Sequence, residues 1–277
     1  MNVLSLFDGI SCGQIALNKI GFKIDNYFAS EVDEYAIKIA KKNFPNTIHI
    51  GDVIKVKATE LPQIDLLIGG SPCQGFSFAG KQLNFNDPRS ALFFEFVRLL
   101  KETKSKYFML ENVRMKQEYL DVISEYLEVK PITINSNLVS AQNRIRYYWT
   151  NIQNITQPKD KNIMLKDILD DDAQEPMLSN IYGGFKETKP RIHYGKSVTI
   201  RTSAGGGHIP SITLKTGNYR TINPTECEKL QTVPIGYTEG VSNTQRYKML
   251  GNGWTVDVIA HILKGIKHDN DKMEKDK

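Results

Sequence analysis

Two short stretches hold the side chains best suited to covalent chemistry. The first is Gly69-Gly70-Ser71-Pro72-Cys73-Gln74-Gly75-Phe76-Ser77, which follows an apolar run, Asp65-Leu66-Leu67-Ile68, of the kind found in fully buried strands. A lone cysteine is most often a small core hydrophobe. Here a proline before it and Gln74-Gly75 after it argue for an exposed, positioned thiol. The second stretch is Glu111-Asn112-Val113, at the end of another apolar run from Tyr107 to Leu110. A thiolate and a carboxylic acid at neighbouring strand ends suit attack on an unsaturated ring while the acid protonates a ring nitrogen.

Strand ends matter because ligands of doubly wound sheets sit at the carboxyl edge. Asn2 to Phe7 reads as a first strand, and its turn, Asp8-Gly9-Ile10-Ser11-Cys12-Gly13, lets a ligand approach the backbone at a helix N-terminus. Such turns also serve packing alone. Glu31 follows a strand from Tyr27 to Ser30, placed for a ribose hydroxyl pair. Asp52 follows a strand from Ile48 to Ile50, placed to accept from an adenine amino group. Either acid can equally be a helix N-cap or first-turn carboxylate.

The elements that must position these groups alternate. Helices are expected up to Ile20, with Gly21 ending the first, from Asp33 to Asn43, and from Ala91 to Glu102, giving a parallel sheet covered by helices. Lys130 to Leu138 and Ile145 to Thr150 read as a hairpin closing that sheet. From Asn151 to Gly217 the chain is rich in glycine and proline, with no helical period beyond Met164 to Leu169, as expected of a small separate domain or a long insertion. Tyr219 to Ile222, a helix from Pro224 and a last helix from Thr255 to Ile266 return to regular structure. The expected division is a first domain of 1–150, a small domain of 151–218, a segment of 219–267 completing the first, and a charged tail from 268 to 277.

The 277 residues carry a net charge of +5, which permits an anionic partner without naming one. Three cysteines, Cys12, Cys73 and Cys227, lack the spacing of a zinc site or disulfide framework, and the five histidines lack metal-ligand spacing, so no metal is expected. No basic, apolar leader and no long apolar run occurs, so a cytoplasmic protein without a membrane partner is expected.

Taken in order, Phe7-Asp8-Gly9, Glu31, Gly51-Asp52, Gly70-Ser71-Pro72-Cys73-Gln74, Glu111-Asn112-Val113, Gln142-Asn143-Arg144-Ile145-Arg146, Arg220 with Glu226 and Leu230-Gln231, and Gly251-Asn252-Gly253 closely resemble the motifs of the DNA cytosine-5 methyltransferase family, small bacterial or phage type. The resemblance spans residues 1 to about 265. It implies an α/β fold, a doubly wound and mostly parallel sheet of the S-adenosylmethionine-dependent methyltransferase type, with a small, turn-rich, mainly β target-recognition domain. It also implies S-adenosyl-L-methionine as cofactor, leaving as S-adenosyl-L-homocysteine, held by Phe7, Asp8, Gly9, Ile10, Glu31, Val32, Asp52, Val53, Gly70, Pro72, Leu92, Asn252 and Trp254.

By the same resemblance Cys73 adds to carbon 6 of a flipped cytosine, Glu111 protonates nitrogen 3, and Arg144 and Arg146 hold the base and the acid. Extruding the base costs a few kcal/mol, which contacts to double-stranded DNA must offset. Ser77, Lys81 and Arg89 in the segment after Cys73 are the expected phosphate contacts there, with Arg201, Gly206, Gly207 and Arg220 in or beside the recognition domain. Between Lys186 and Arg220 seven lysines and arginines face one acid, Glu187, whereas Asp167, Asp170, Asp171, Asp172 and Glu175 should point away from phosphate. The protein is expected to act as a monomer, nucleoid-associated when bound to DNA. A tRNA methyltransferase on the same motifs carries a Cys-Phe-Thr element that is absent here, and amino-group methyltransferases need an Asn/Asp-Pro-Pro-aromatic site instead of Ser71-Pro72-Cys73. The presence of both Cys73 and Glu111 weighs against a non-catalytic DNA-binding relative.

Overall fold

A computed structural model describes residues 1–72, 91–180, 189–202 and 209–267. Cys73, Ser77, Lys81, Arg89, Gly206 and Gly207 therefore lie outside the described residues, as does the tail. The chain forms two compact units, one of Met1–Ile134, Ile145–Gln157 and Ala260–Lys277, the other of Asn135–Arg144 and Pro158–Ile259.

The first unit is built on strands β1 (Asn2–Leu6), β2 (Asn26–Ser30), β3 (Ile48–His49), β4 (Leu66–Gly69), β5 (Tyr107–Asn112), β6 (Ile132–Asn135) and β7 (Ile145–Thr150). Their order in the sheet is β3-β2-β1-β4-β5-β7-β6, with β1 to β5 parallel and β7 antiparallel to β5. Val3, Leu4, Leu6, Leu66, Leu67, Ile68 and Leu110 are fully buried, as both faces of a parallel sheet must be. Helices α1 (Cys12–Lys19), α2 (Glu34–Asn43) and α3 (Ala91–Thr103) follow β1, β2 and β4. Asp33 starts α2 as an N-cap, its carboxylate accepting from the amides of Tyr35 and Ala36. α3 turns Phe93, Phe96 and Val97 inward; a Cβ on Gly69 would stand 3.0 Å from the Phe96 ring and 3.2 Å from the Leu6 carbonyl oxygen, so any side chain there would press β4 and α3 slightly apart. A further helix, α4 (Gln117–Leu127), covers the sheet where the sequence reading assigned none. Its inward face, Tyr119, Leu120, Ile123 and Leu127, has helical spacing.

The second unit holds a four-stranded sheet, order β11-β10-β8-β9, from β8 (Ala173–Ser179), β9 (Arg191–His193), β10 (Ser211–Leu214) and β11 (Tyr219–Thr221), all antiparallel. Helices α5 (Pro224–Leu230) and α6 (Asn243–Asn252) belong to it, and α7 (Val256–Leu263) follows. α5 opens with a capping box between Asn223 and Glu226 and a proline in its first turn. The division differs from the expected one at both ends. Residues 219–259 and the stretch between β6 and β7 fold with the small sheet, because Gln142, Arg144, Gln231 and the turn after α6 share one buried hydrogen-bond network. No helix among the described residues is long and apolar enough to cross a membrane, and no group of three or more ligating side chains among them is placed to hold a metal ion.

Candidate active site

At the carboxyl edge of the first unit, the turn after β1 is tightly wound. Phe7, Gly9 and Ser11 all have φ near +60° (58°, 58° and 60°), a region in which only glycine is unstrained. The Asp8 carboxylate fixes this turn from inside: Ser11 Oγ donates to one oxygen, and the hydroxyl of Tyr27 in β2 donates to the other at 2.8 Å. Next to it the Gly9 amide donates to Glu31 Oε2 at 2.8 Å, while Glu31 Oε1 accepts from the amides of Val32 (2.7 Å) and Asp33 (2.8 Å). Glu31 is thus locked in orientation by three backbone donors. Asp52 engages Oδ1 with the Ile54 amide at 3.1 Å, and Gly51, at φ +74°, is tied to β2 by Ser30 Oγ.

Burial pushes the Asp8 carboxyl up to about 6, the hydrogen bonds from Ser11 and Tyr27 only partly opposing it. A carboxyl raised in the fold binds a proton that the unfolded chain has already released, so its contribution to stability is full below the unfolded value of about 3.9 and is lost as pH rises toward about 6. Asp8→Asn should therefore flatten the pH dependence of the urea midpoint between those limits, by roughly 3 kcal/mol across the window. Parallel urea curves for the two proteins at every pH would refute this.

Side-chain placement refines the expected cradle. Phe7 is partly buried against the core, Ile10 is 1% exposed and Val53 4% exposed, so the latter two offer a ligand backbone rather than side chain. Val32 at 68% and Ile54 at 62% are the exposed apolar side chains beside the two acids. Ile54, one residue beyond Val53, is the side chain that the 3₁₀ turn Val53–Lys55 leaves exposed. Gly70 and Pro72 stand at the end of β4 and Leu92 lies half-buried in the first turn of α3. Asn252 is exposed at the end of α6, and Trp254 is buried, both in the second unit.

Glu111, at the end of β5, is 8% exposed and its Oε1 lies 3.0 Å from Nε of Arg146 in β7. The antiparallel pairing that sets Glu111 opposite Tyr148 and Asn112 opposite Tyr147 carries Arg146 to the carboxylate. Beside it Asn112, 1% exposed, donates through Nδ2 to the carbonyl oxygen (3.4 Å) and hydroxyl (3.3 Å) of Ser71. Asn112 therefore holds the backbone two residues before Cys73 from β5, a role that the sequence reading did not give it.

Two of the residues expected at the base and at DNA are engaged within the second unit. Arg144, 3% exposed, donates to the carbonyl oxygens of Ile200 (3.1 Å), Gly251 (3.1 Å) and Gly253 (2.9 Å), bracing the second unit from within. Gln142 joins the same network, donating to Leu230 O and Gln231 Oε1 and accepting from the Ile200 amide. Arg220 was expected at DNA. All five of its N–H groups instead meet acceptors, on Asp172, Glu226 and the Thr221 carbonyl, and the two carboxylates push its pKa up, so its guanidinium is an internal tie. Asp170 and Asp172, from the acidic run, anchor this motif rather than merely avoiding phosphate: Asp170 accepts from Asn223 and Lys229. Arg201 is exposed.

The family model for C-5 cytosine-specific DNA methylase matches residues 1–196 and again 121–268. The type II methyltransferase M1.ScrFI of Lactococcus lactis subsp. cremoris is 30% identical over 99% of this chain and 79% of its own length. M.HhaI of Haemophilus parahaemolyticus, also a type II methyltransferase, is 28% identical over 96% of this chain and 94% of its own. Among solved structures the Entamoeba histolytica methyltransferase EhMeth superposes with a TM-score of 0.74 at 20% identity, over 97% of this chain and 98% of that one, a likeness of fold.

Proposed function

The chain belongs to the C-5 cytosine-specific DNA methylase family, and from that premise we propose that it flips a cytosine out of double-stranded DNA and methylates it at carbon 5 within a short recognition sequence. It is a DNA cytosine-5 methyltransferase. The observation that carries the mechanism is the buried Glu111–Arg146 pair at the carboxyl edge, beside a Ser71-Pro72 backbone secured by Asn112.

The cradle of the first unit fits S-adenosyl-L-methionine. Glu31 keeps lone pairs for two ribose hydroxyls, Asp52 keeps Oδ2 for an exocyclic amine, and Val32 and Ile54 offer apolar faces. When bound, that cofactor supplies an electrophilic methyl group. Cys73 adds as thiolate to carbon 6, forming a carbon–sulfur bond, while Glu111 delivers a proton to nitrogen 3. The ring electrons then reside at carbon 5, which takes the methyl. Loss of the carbon-5 proton to a base restores the 5,6 double bond and expels the Cys73 thiolate, and the nitrogen-3 proton returns to Glu111. Arg146 fixes the Glu111 carboxyl in the orientation that this transfer needs. The exposed cations Lys189, Arg201 and Lys215 of the second unit supply phosphate contacts in this reading. The enzyme works as a monomer in the cytoplasm, on the nucleoid.

Bisulfite sequencing of DNA from cells expressing the protein tests the proposal and reads the recognised sequence at once. Methylated cytosines in one short sequence context are expected. Unmethylated DNA, together with 5-methylcytosine in the RNA of the same cells, would overturn it.

A further inference from the structure

The segment 195–202 of the second unit lies along the stretch that carries Gln142 and Arg144. Ser197 N donates to Ala141 O at 2.6 Å, Asn143 N to Ser197 O at 2.9 Å, and Thr199 Oγ1 to Asn143 O at 2.6 Å, with Gln142 and Ser197 forming a parallel bridge. At its far end Arg144 grips the Ile200 carbonyl, and a Cβ on Gly251 would fall 2.3 Å from the carbonyl carbon of Arg201, so the backbone of residues 201 and 202 passes directly over that glycine. At its near end stands Lys196. Its Nζ donates to the carbonyl oxygens of Asn137 (2.7 Å), Ser140 (3.2 Å) and Ile163 (2.6 Å).

Three ammonium protons meeting three carbonyl oxygens from two separate stretches make Lys196 the equivalent of a bound cation. Desolvation pulls its pKa below the ordinary lysine range, and the carbonyl dipoles compensate the partly buried charge. Of the seven cations between Lys186 and Arg220, two, Lys196 and Arg220, are thus turned inward. Arg201 emerges exposed from the end of the segment whose start Lys196 fixes.

We propose that Lys196 is a positioning residue for DNA recognition, its three carbonyl bonds setting the register of segment 195–202 and hence the place from which Arg201 meets the phosphate backbone. This rests on the reading of the second unit as the one that recognises DNA. Register matters here because the segment is held at both ends: a slip of one residue would move Ile200 O from Arg144 and displace the backbone of residues 201 and 202 that passes over Gly251. A methionine at 196 would fill the space and leave three carbonyls without a donor. An arginine would keep the charge, but its planar fork cannot converge on three acceptors around one nitrogen.

The test compares the full-length wild type with Lys196→Met, Lys196→Arg and Arg201→Ala. Steady-state methylation gives kcat and KM for duplexes bearing the recognised sequence or a one-base variant of it, and calorimetry gives affinity for S-adenosyl-L-homocysteine. For Lys196→Met we expect KM for DNA to rise about tenfold with reduced discrimination between the two duplexes, kcat and cofactor affinity staying within about twofold. Lys196→Arg should shift the same quantities less. Unchanged KM and discrimination in Lys196→Met, or loss of cofactor affinity in parallel with KM, would overturn the inference. Should Lys196→Met not fold, wild-type KM and discrimination in Lys196→Arg would overturn it. Arg201→Ala keeps the two readings apart. It should weaken DNA binding and lower the salt slope by about one; an unaffected Arg201→Ala removes the recognition reading beneath the inference, whereas a weakened one with a normal Lys196→Met removes the inference alone.

Discussion

Cys73→Ala is expected to abolish methyl transfer, a loss on the order of 10⁴-fold or more, while binding of duplex DNA and of cofactor survives. The size of the loss follows from the electronics of the ring. Carbon 5 of cytosine is a poor nucleophile until a group adds at carbon 6, and no other side chain can replace a thiolate that both adds readily and leaves readily. Alanine removes the sulfur without adding bulk, so the contacts that hold the duplex persist. A duplex with 5-fluorocytosine at the target position sharpens the test, because fluorine cannot leave carbon 5 as a cation and the thiolate is then trapped. The wild type should form a denaturation-resistant adduct with that duplex and Cys73→Ala should not. Undiminished methylation by the variant, or an adduct that it still forms, would transfer the nucleophile's role to another residue.

The parts of this machinery that were legible in the sequence are those governed by chain-local rules. An apolar run followed by a glycine turn and a helix gives a strand end, and ligands collect at strand ends. Phe7 to Ser11, Glu31, Asp52 and Glu111 were found that way, and all stand at the carboxyl edge of one sheet. What escaped is what long-range pairing decides. Arg144 and Arg146 are two residues apart and look alike in sequence, yet one is buried against carbonyls at 200, 251 and 253 while the other reaches a carboxylate at 111. Arg144 ends the stretch that folds with the second unit and Arg146 stands on β7 of the first, and nothing local says where that boundary falls. The tie between Arg220 and Asp172 escaped for a related reason, since the two lie 48 residues apart and a count of charges along the chain treats them as separate. Helix α6 was missed because its sequence, Asn243 to Asn252, buries only Met249 and Leu250 and so has no apolar stripe to read.

The Glu111–Arg146 pair should show the second large effect, and a double-mutant cycle separates its two possible causes. Glu111→Gln removes the proton that nitrogen 3 must receive and should lower kcat by roughly 10²–10⁴-fold. Arg146→Ala leaves that carboxyl in place without the Arg146 cation beside it: with Glu111 8% exposed, the fold itself should lose about 3–5 kcal/mol and the acid part of its hold. If Arg146 acts mainly by holding Glu111, the losses cannot add, because a glutamine that carries no transferable proton gains nothing from being well oriented. The double variant should then have a kcat within about tenfold of Glu111→Gln alone. It should also recover part of the stability lost in Arg146→Ala, since a neutral amide is cheaper to bury without a cation than a carboxylate is. Additive losses in kcat would mean that Arg146 touches the reacting base independently of Glu111, and a double variant no more stable than Arg146→Ala would mean that the pair's electrostatics do not set the cost. Measuring kcat and urea midpoints on the same four proteins decides both, because the kinetic and the thermodynamic couplings have different origins and need not share a sign.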